Sequence, residues 1–554
     1  MKNSTLSILD HFPSQLNPRA IQVKILSEVE EKINSGYKKI VISAPTGVGK
    51  SAIGIALATY FGNSFMVTAS KNLQDQYIED YPDLHPVKGK SNFPCLKLME
   101  EKKMDDPILA TTMKLTCEKG KCEEKKVGSK KEYCKFKPNI EEIAIGNTDS
   151  GGCHYYLQKY IALTSDHSLW NYHSFFQLML NKKAFAKYIG KSVSIFDEAH
   201  KIEDQIINFI GIKITNRQLD ECSIDVTRYD LTNIDVVLEL LDSMRKSYAE
   251  MLRKMDDEGS IDHKTYTRYL DQLERAARIH NNISEDPENF VINDSQKNID
   301  EDFESVEIKP IDISKFIAYF FETECQIFMS ATIDKKSFCE NMGFEESNVA
   351  FIDTPESPFP LENRKIEFLN VAKINRNSSL EDRLKVVKQI DELLDNHSQE
   401  RGLILTSSIS NCNFIKKHIS AKNRNRIRIC HSSNPNNKTQ EQILKEHKND
   451  VASVLLSSSL WEGVDLKDEL SRFQIIAKIP YAPLTEKRTV AKMKRFPLWY
   501  DAQTLMKLLQ GFGRSIRGEK DYAKTYVLDS AVHFLIHKTK SILPRAYYDT
   551  LNLS

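Results

Sequence analysis

The stretch Ala44-Pro-Thr-Gly-Val-Gly-Lys-Ser51 constrains this chain more than any other. It follows Lys38-Lys-Ile-Val-Ile-Ser43, a short β-branched run that reads as a buried strand. It precedes Ala52-Ile-Gly-Ile-Ala-Leu-Ala58, which reads as a helix. Strand, glycine-rich turn, Gly-Lys-Ser and helix, in that order, make the context of a phosphate-binding loop. Gly47 and Gly49 let the backbone approach phosphate oxygens, and the helix N-terminus adds partial positive charge. Thr46, Gly47, Val48, Gly49, Lys50 and Ser51 are therefore the candidate nucleotide contacts, with Lys50 reaching the β- and γ-phosphates and Ser51 holding Mg²⁺. Ala44 stands where such loops usually begin with glycine, the least demanding position of the pattern.

A second half of such a site follows. The apolar run Ser192-Val-Ser-Ile-Phe196 leads straight into Asp197-Glu-Ala-His200. A carboxylate pair at a strand end, downstream of a phosphate loop, suits nucleotide hydrolysis: Asp197 as an Mg²⁺ holder, Glu198 as the group that orients and deprotonates water. Upstream, Arg19-Ala-Ile-Gln22 offers Gln22 to an adenine edge, because an amide donates and accepts at once. The strand Phe65–Ser70 is followed by a helix from Lys71, and Cys325-Gln-Ile-Phe-Met329 delivers Ser330-Ala-Thr332. Residues at the carboxyl ends of parallel strands face the binding crevice. Thr68, Ser70 and Gln74 are thus candidates to hold a nucleic-acid backbone, with simple capping as the alternative.

After Ser357-Pro-Phe-Pro-Leu-Glu-Asn-Arg364 a second α/β series begins, with strands at 402–406, 426–430, 452–456, 473–478 and 524–528. Its long connections imply crossover helices and a parallel sheet. It has no phosphate loop. It carries Trp461-Glu-Gly-Val-Asp465, whose Asp465 is a further candidate nucleotide contact, and Gln510-Gly-Phe-Gly-Arg-Ser-Ile-Arg517. Gln510, Arg514 and Arg517 fall at i, i+4 and i+7, one face of a helix. That face is either a surface stripe or, opposite a phosphate loop, a set of arginine fingers.

Two stretches differ from these α/β series. Of ten cysteines, Cys95, Cys117, Cys122, Cys134 and Cys153 fall close together, and His85 to Lys137 carries 14 Lys against 8 Asp plus Glu, an excess of +6. An intracellular chain keeps its thiols reduced, so such a group suggests metal rather than disulfides. The spacings lack the paired Cys-x₂-Cys of zinc sites, which favours an iron–sulfur cluster over structural zinc. Residues 216–305 have apolar residues at helical spacing and read as a helical insert, with loops from Asn281 to Asp302. The net charge of zero excludes a globally basic nucleic-acid binder but not a local basic channel. No run approaches the roughly 18 apolar residues of a membrane span. The N-terminus has no apolar signal core, which points to the cytoplasm.

The ordered set resembles the XPD and DinG group of superfamily 2 DNA helicases, from about Arg19 to Asp529. Ala44–Ser51, Asp197–His200, Ser330–Thr332, Glu462–Asp465, Gln510–Arg514 with Arg517, Asn92–Cys95, Cys153–Tyr156 and Asn171–His173 carry the resemblance. It implies an α/β fold of two RecA-like parallel-sheet motor domains, the first interrupted by an Fe–S cluster insertion and a helical arch insertion. Combined with composition, the boundaries become 1–84, 161–215 and 306–350 for the first motor domain, 85–160 for the cluster domain, 216–305 for the arch and 351–554 for the second motor domain. It further implies an ATP-dependent, monomeric motor on single-stranded and forked DNA, moving 5′ to 3′ and serving DNA repair or related processing, with ATP, Mg²⁺ and a [4Fe-4S] cluster. The group uses four cluster cysteines; Cys95 and Cys153 match by their neighbours, and Cys117, Cys122 and Cys134 compete for two places. Tyr155, Tyr156, Trp170 and Tyr172 are candidates to stack bases or, alternatively, core residues. Two rivals explain less. A small-molecule phosphate-loop enzyme leaves the arginine face idle, and an Fe–S redox-sensing DNA-binding protein leaves Glu198, Arg514 and Arg517 without work.

Overall fold

The protein is seen in a computed structural model that describes residues 7–120, 122–125, 131–148, 152–258, 263–293, 296–297, 303–354, 357–431, 439–464, 466–516, 518 and 520–551. Two all-parallel sheets organise it. The first has seven strands in the order Val349–Asp353, Lys39–Ser43, Cys325–Ser330, Val193–Asp197, Ser64–Thr68, His167–Asn171, His85–Val87. The second has six, in the order Ile366–Ala372, Lys524–Asp529, Phe473–Ile476, Gly402–Leu405, Val454–Ser457, Ile427–Ile429.

Parallel sheets sheathed on both faces need strands that are apolar on both faces. The first sheet meets this by alternation. Val41, Phe65, Val67, Trp170, Phe196 and Phe328 face one apolar cluster, and Ile40, Ile42, Met66, Leu169, Ile195 and Ile327 face another. The second sheet repeats the pattern, with Leu403, Leu405, Leu455 and Ile476 on one side and Ile404, Val454, Leu456 and Ile475 on the other.

Four strands of these two sheets were not anticipated: His85–Val87, His167–Asn171, Val349–Asp353 and Ile366–Ala372. His85-Pro-Val87 is an edge strand, where proline costs no ladder hydrogen bond. His167-Ser-Leu-Trp-Asn171 has no β-branched residue; its place is fixed by pairing with Ser64–Thr68.

Between the Asp-Glu box and the Ser-Ala-Thr strand lie two long helices, Ile234–Glu258 and His263–Glu285, packed along each other. Val237, Leu240, Leu241, Met244 and Tyr248 form the buried stripe of the first, and Ala276, Ile279 and Ile283 that of the second. The helices stand on an antiparallel sheet in which Phe303–Pro310 pairs with Ile212–Thr215, Phe290–Ile292 and Gln296–Lys297. That sheet corrects the reading of loops after Asn281. Its buried residues are continuous with the motor core around Phe209 and Phe320, so the insert has no separate core.

Phe328 is fully buried, stacked on Phe196 at 5.1 Å and packed on Phe338 at 5.0 Å. Phe328→Ala is expected to remove about 3–5 kcal/mol of stability, read as a lower urea midpoint by circular dichroism.

Candidate nucleotide site and cysteine cluster

Three adjacent strands end together. In the register of the first sheet Ser43 lies beside Ser330, and Met329 beside Asp197. The phosphate loop, the Ser-Ala-Thr turn and the Asp-Glu pair therefore emerge side by side at the carboxyl edge. Gly47 and Gly49 have φ of +87° and +83°, where side chains are strained. Space is closed as well: a Cβ at Gly47 would lie 2.2 Å from the Phe359 ring, and one at Gly49 would lie 2.5 Å from the Gln22 amide nitrogen. Val48 is buried and anchors the turn, while Lys50 begins the helix Lys50–Phe61 and donates from Nζ to the Ala44 carbonyl at 3.1 Å. Gly513 of the second domain faces Thr46: a Cβ there would lie 3.5 Å from Thr46 Oγ1.

The carboxylates are held by residues that sequence reasoning missed. The Tyr77 hydroxyl donates to Asp197 Oδ2 at 3.0 Å and is also bonded to the Ser51 side chain, so one tyrosine links both candidate Mg²⁺ holders. Tyr172 donates to the Asp197 backbone carbonyl at 3.0 Å. Burial and the neighbouring Glu198 push the Asp197 carboxyl up, against the opposing pull of Lys50 and Tyr77. Burial acts upward on Glu198 too, but His200, Lys50, Lys201 and Arg514 together hold it below its ordinary value. The two carboxylates are thus driven apart in proton affinity, with Glu198 the more acidic of the two. Glu198 also adopts φ +53°, a left-handed conformation rare outside glycine and common at functional turns.

The opposite wall comes from the second domain. The helix Trp499–Phe512 brings Gln510 Nε2 to within 2.9 Å of Thr332 Oγ1, which gives the Ser-Ala-Thr turn a partner across the cleft. Arg514 lies just past the end of that helix, where Gly513 caps it, so the expected single helical face of Gln510, Arg514 and Arg517 is corrected for Arg514. Its Nη1 donates to the Val464 carbonyl at 3.0 Å, and its charge acts on Glu198. Arg517 and Asp465 lie outside the described residues. Glu462, three residues before Asp465, pairs with Lys201 at 2.9 Å and stands 3.8 Å from His200 Nε2. His200 in turn bonds Ser330 through Nδ1 at 2.9 Å. The motif letters hinted at His200 and Glu462, but only the fold reveals that they face each other.

Gln22 is buried, with Oε1 accepting from the Arg19 N–H at 2.9 Å and Nε2 donating to the Gly49 carbonyl at 3.3 Å. It reads the phosphate loop directly. Gln74 is buried and spans the Val87 and Leu169 carbonyls, Thr68 is buried, and Ser70 caps the helix Lys71–Asp80. Trp170 and Tyr172 are core residues, each about 1% exposed, which is the core alternative of their two readings and not the base-stacking one. Tyr155 and Tyr156 pack against the cysteines.

Cys95, Cys117, Cys122, Cys134 and Cys153 all line one cavity of about 10 Å³, closed by Phe136 and Tyr156. Cys117 Sγ lies 3.6 Å from Cys153 Sγ. Hydrogen bonding from Cys117 lowers Cys153 to about 6 and Cys95 to about 7, while the same bonds push Cys117 up. Among the described residues no group of three or more His, Cys, Asp or Glu side chains stands in ligating geometry. The convergence of five soft donors on one enclosed space nonetheless suits a thiolate-bound metal centre.

Two RecA-like domains facing each other across a phosphate loop, an Asp-Glu pair and the helix that carries Gln510, with Arg514 beyond its end, define the class of two-domain helicase motors. Residues 15–232 match the type III restriction enzyme res subunit family, and residues 390–547 match the helicase C-terminal domain family. In sequence the chain is similar to bacterial ATP-dependent DNA helicases. It is 25% identical to the ATP-dependent DNA helicase YoaA of Haemophilus influenzae, over 93% of this chain and 91% of that one. Identity to the Escherichia coli YoaA is also 25%, over 44% of this chain and 43% of that one. An XPD helicase structure superposes with a TM-score of 0.61 at 14% identity, covering 95% of this chain and 98% of the other. The S. tokodaii Xpd4 structure gives 0.53 at 15% identity, over 97% and 98%.

Lys50→Ala is expected to cut ATP hydrolysis by about 100-fold or more, with circular dichroism unchanged. Tyr77→Phe keeps the ring and removes the hydroxyl between Ser51 and Asp197. Its half-saturating Mg²⁺ concentration for hydrolysis is expected to rise about tenfold, as measured by Mg²⁺ titration of the rate.

Proposed function

We propose that this protein is an ATP-driven helicase that translocates 5′ to 3′ on single-stranded DNA and unwinds forked duplexes as a monomer, in cytoplasmic DNA repair or related processing. The observation that carries the reading is the cleft itself: phosphate loop, Asp197–Glu198 and Thr332 on one wall, Gln510 and Arg514 on the other. A small-molecule kinase has no use for a second sheet bearing that helix.

In this reading Lys50 and the backbone of Thr46–Gly49 bind the phosphates, and Gln22 reports adenine to the loop through Gly49. Ser51 and Asp197 hold Mg²⁺, which neutralises phosphate charge. Glu198 orients water and takes its proton. Arg514 and Arg517 stabilise the charge that develops on the transferred phosphoryl, and Asp465 lies beside the nucleotide. Because the two walls belong to different domains, binding and loss of the triphosphate bias closed and open states, and that differential affinity drives stepping. Among the described residues no helix is long and apolar enough to cross a membrane.

The cluster stretch 85–160 is read as an Fe–S domain, with four of Cys95, Cys117, Cys122, Cys134 and Cys153 holding a [4Fe-4S] cluster; the support is their shared cavity. The lysine excess around it suits a passing phosphate backbone. Residues 216–305 serve as the arch.

Single-stranded DNA is expected to stimulate ATP turnover, and forks with a 5′ tail are expected to unwind in preference to forks with a 3′ tail. An unstimulated ATPase would sink the proposal. Anaerobically purified protein should contain about four iron atoms per chain. Cys95→Ser or Cys153→Ser should lose that iron and the unwinding while retaining ATP hydrolysis, as read by iron assay and strand separation on the same samples.

A further inference from the structure

The two motor domains share a second polar contact, away from the phosphates. Glu203 lies in the first turn of the helix Ile202–Ile210, into which the Asp-Glu box leads. It is 7% exposed. Its Oε1 accepts from Arg488 Nη2 at 2.6 Å and from Lys492 Nζ at 2.5 Å, and its Oε2 accepts from Trp499 Nε1 at 3.1 Å. All three donors belong to the second domain. Arg488 and Lys492 sit one turn apart on the helix Lys487–Arg495, and Trp499 opens the helix that carries Gln510. Both cations also lie near the Trp499 ring, at 5.7 and 5.2 Å from its centre, which closes the cluster from water.

The same donors reach further into the first domain. Arg488 Nε donates to the Pro310 carbonyl at 2.8 Å and Nη2 to the Ile311 carbonyl at 3.1 Å, where the insert's strand Phe303–Pro310 ends. Lys492, fully buried, donates to Asn341 Oδ1 at 2.8 Å. Outside the burial, Lys309 pairs with Glu486 at 3.5 Å. One short helix of the second domain is therefore tied to the Asp-Glu helix, to the base of the insert and, through Glu203 and Trp499, to the start of the helix that carries Gln510.

A buried cluster of one carboxylate and two cations is poor as a source of stability, since apolar residues of similar volume often do as well. Its advantage is registry: only one arrangement gives both buried cations the shared carboxylate. We propose that Glu203 is a positioning residue that sets the helix carrying Gln510 from its N-terminal end and makes the insert move with the second domain when the cleft closes. The closing of the cleft rests on the motor reading above; the mechanical tie does not.

The test uses the full chain with Glu203→Gln, which keeps size and the Trp499 acceptor but removes the charge, and the swap Glu203→Lys with Lys492→Glu. Hydrogen–deuterium exchange is expected to rise together in 303–310, 487–495 and 499–512 of the Gln variant, with 50–61 unchanged. Its DNA-stimulated kcat is expected to fall about tenfold at unaltered KM for ATP, and the swap to restore both readouts. Exchange that stays at the wild-type level, or rises across the whole chain, overturns the proposal, as does a swap that recovers neither readout. If the wild type shows no DNA stimulation the motor reading fails, and the exchange pattern alone then decides the tie.

Discussion

The parallel ladder that seats Lys39–Ser43 and Val193–Asp197 on either side of Cys325–Ser330 is the constraint on which the site depends. Each strand contributes one chemical unit at its carboxyl end, and none of the units works alone. The ladder holds because every residue of Cys325–Ser330 and Val193–Asp197 is buried. A one-residue slip would turn Phe196 and Phe328 from one core to the other and carry Asp197 out of reach of Tyr77. Catalytic geometry here is a by-product of core packing.

Electrostatics then divides labour between neighbours. Asp197 and Glu198 are adjacent, yet one is buried on tyrosine hydroxyls and the other lies among Lys50, Lys201, Arg514 and the His200 ring. A carboxylate kept charged beside the phosphoryl position suits a group that must accept a proton from water. The strained φ of Glu198 is consistent with that demand, because the turn aims successive side chains at different partners.

Much of this was legible in the sequence, and the rest was not for identifiable reasons. The loop, the Asp-Glu box and the strands that carry them announce themselves because glycine, lysine and β-branched runs have few other uses together. Gln510 was readable as a helical residue, but Arg514 lies past the helix end that Gly513 caps, and the cleft partner of Gln510, Thr332, is a long way off in sequence. Tyr77 gave no local signal: its hydroxyl matters only because the helix Lys71–Asp80 packs beside Asp197. Trp170 looked like a stacking platform by residue type and is core by position. The antiparallel sheet under the insert escaped notice because its strands sit among polar and acidic residues and are paired at long range, Ile308 with Ile212.

Several contacts between the two motor domains at the cleft are polar, and physical chemistry gives a reason. An apolar interface of the same extent is stabilised by area and resists opening in proportion to it. Hydrogen bonds such as Gln510 to Thr332, and ion pairs such as Glu462 to Lys201, exchange with water at small net cost. They permit separation while specifying the registry to which the domains return. The Glu203 cluster is the exception, because its charges are buried and its donors are shared among three elements. Parting it would strand a carboxylate and two cations in a low-dielectric gap unless water enters at once. In the proposed motor it would act as a hinge that stays made, while the nucleotide side of the cleft opens and closes.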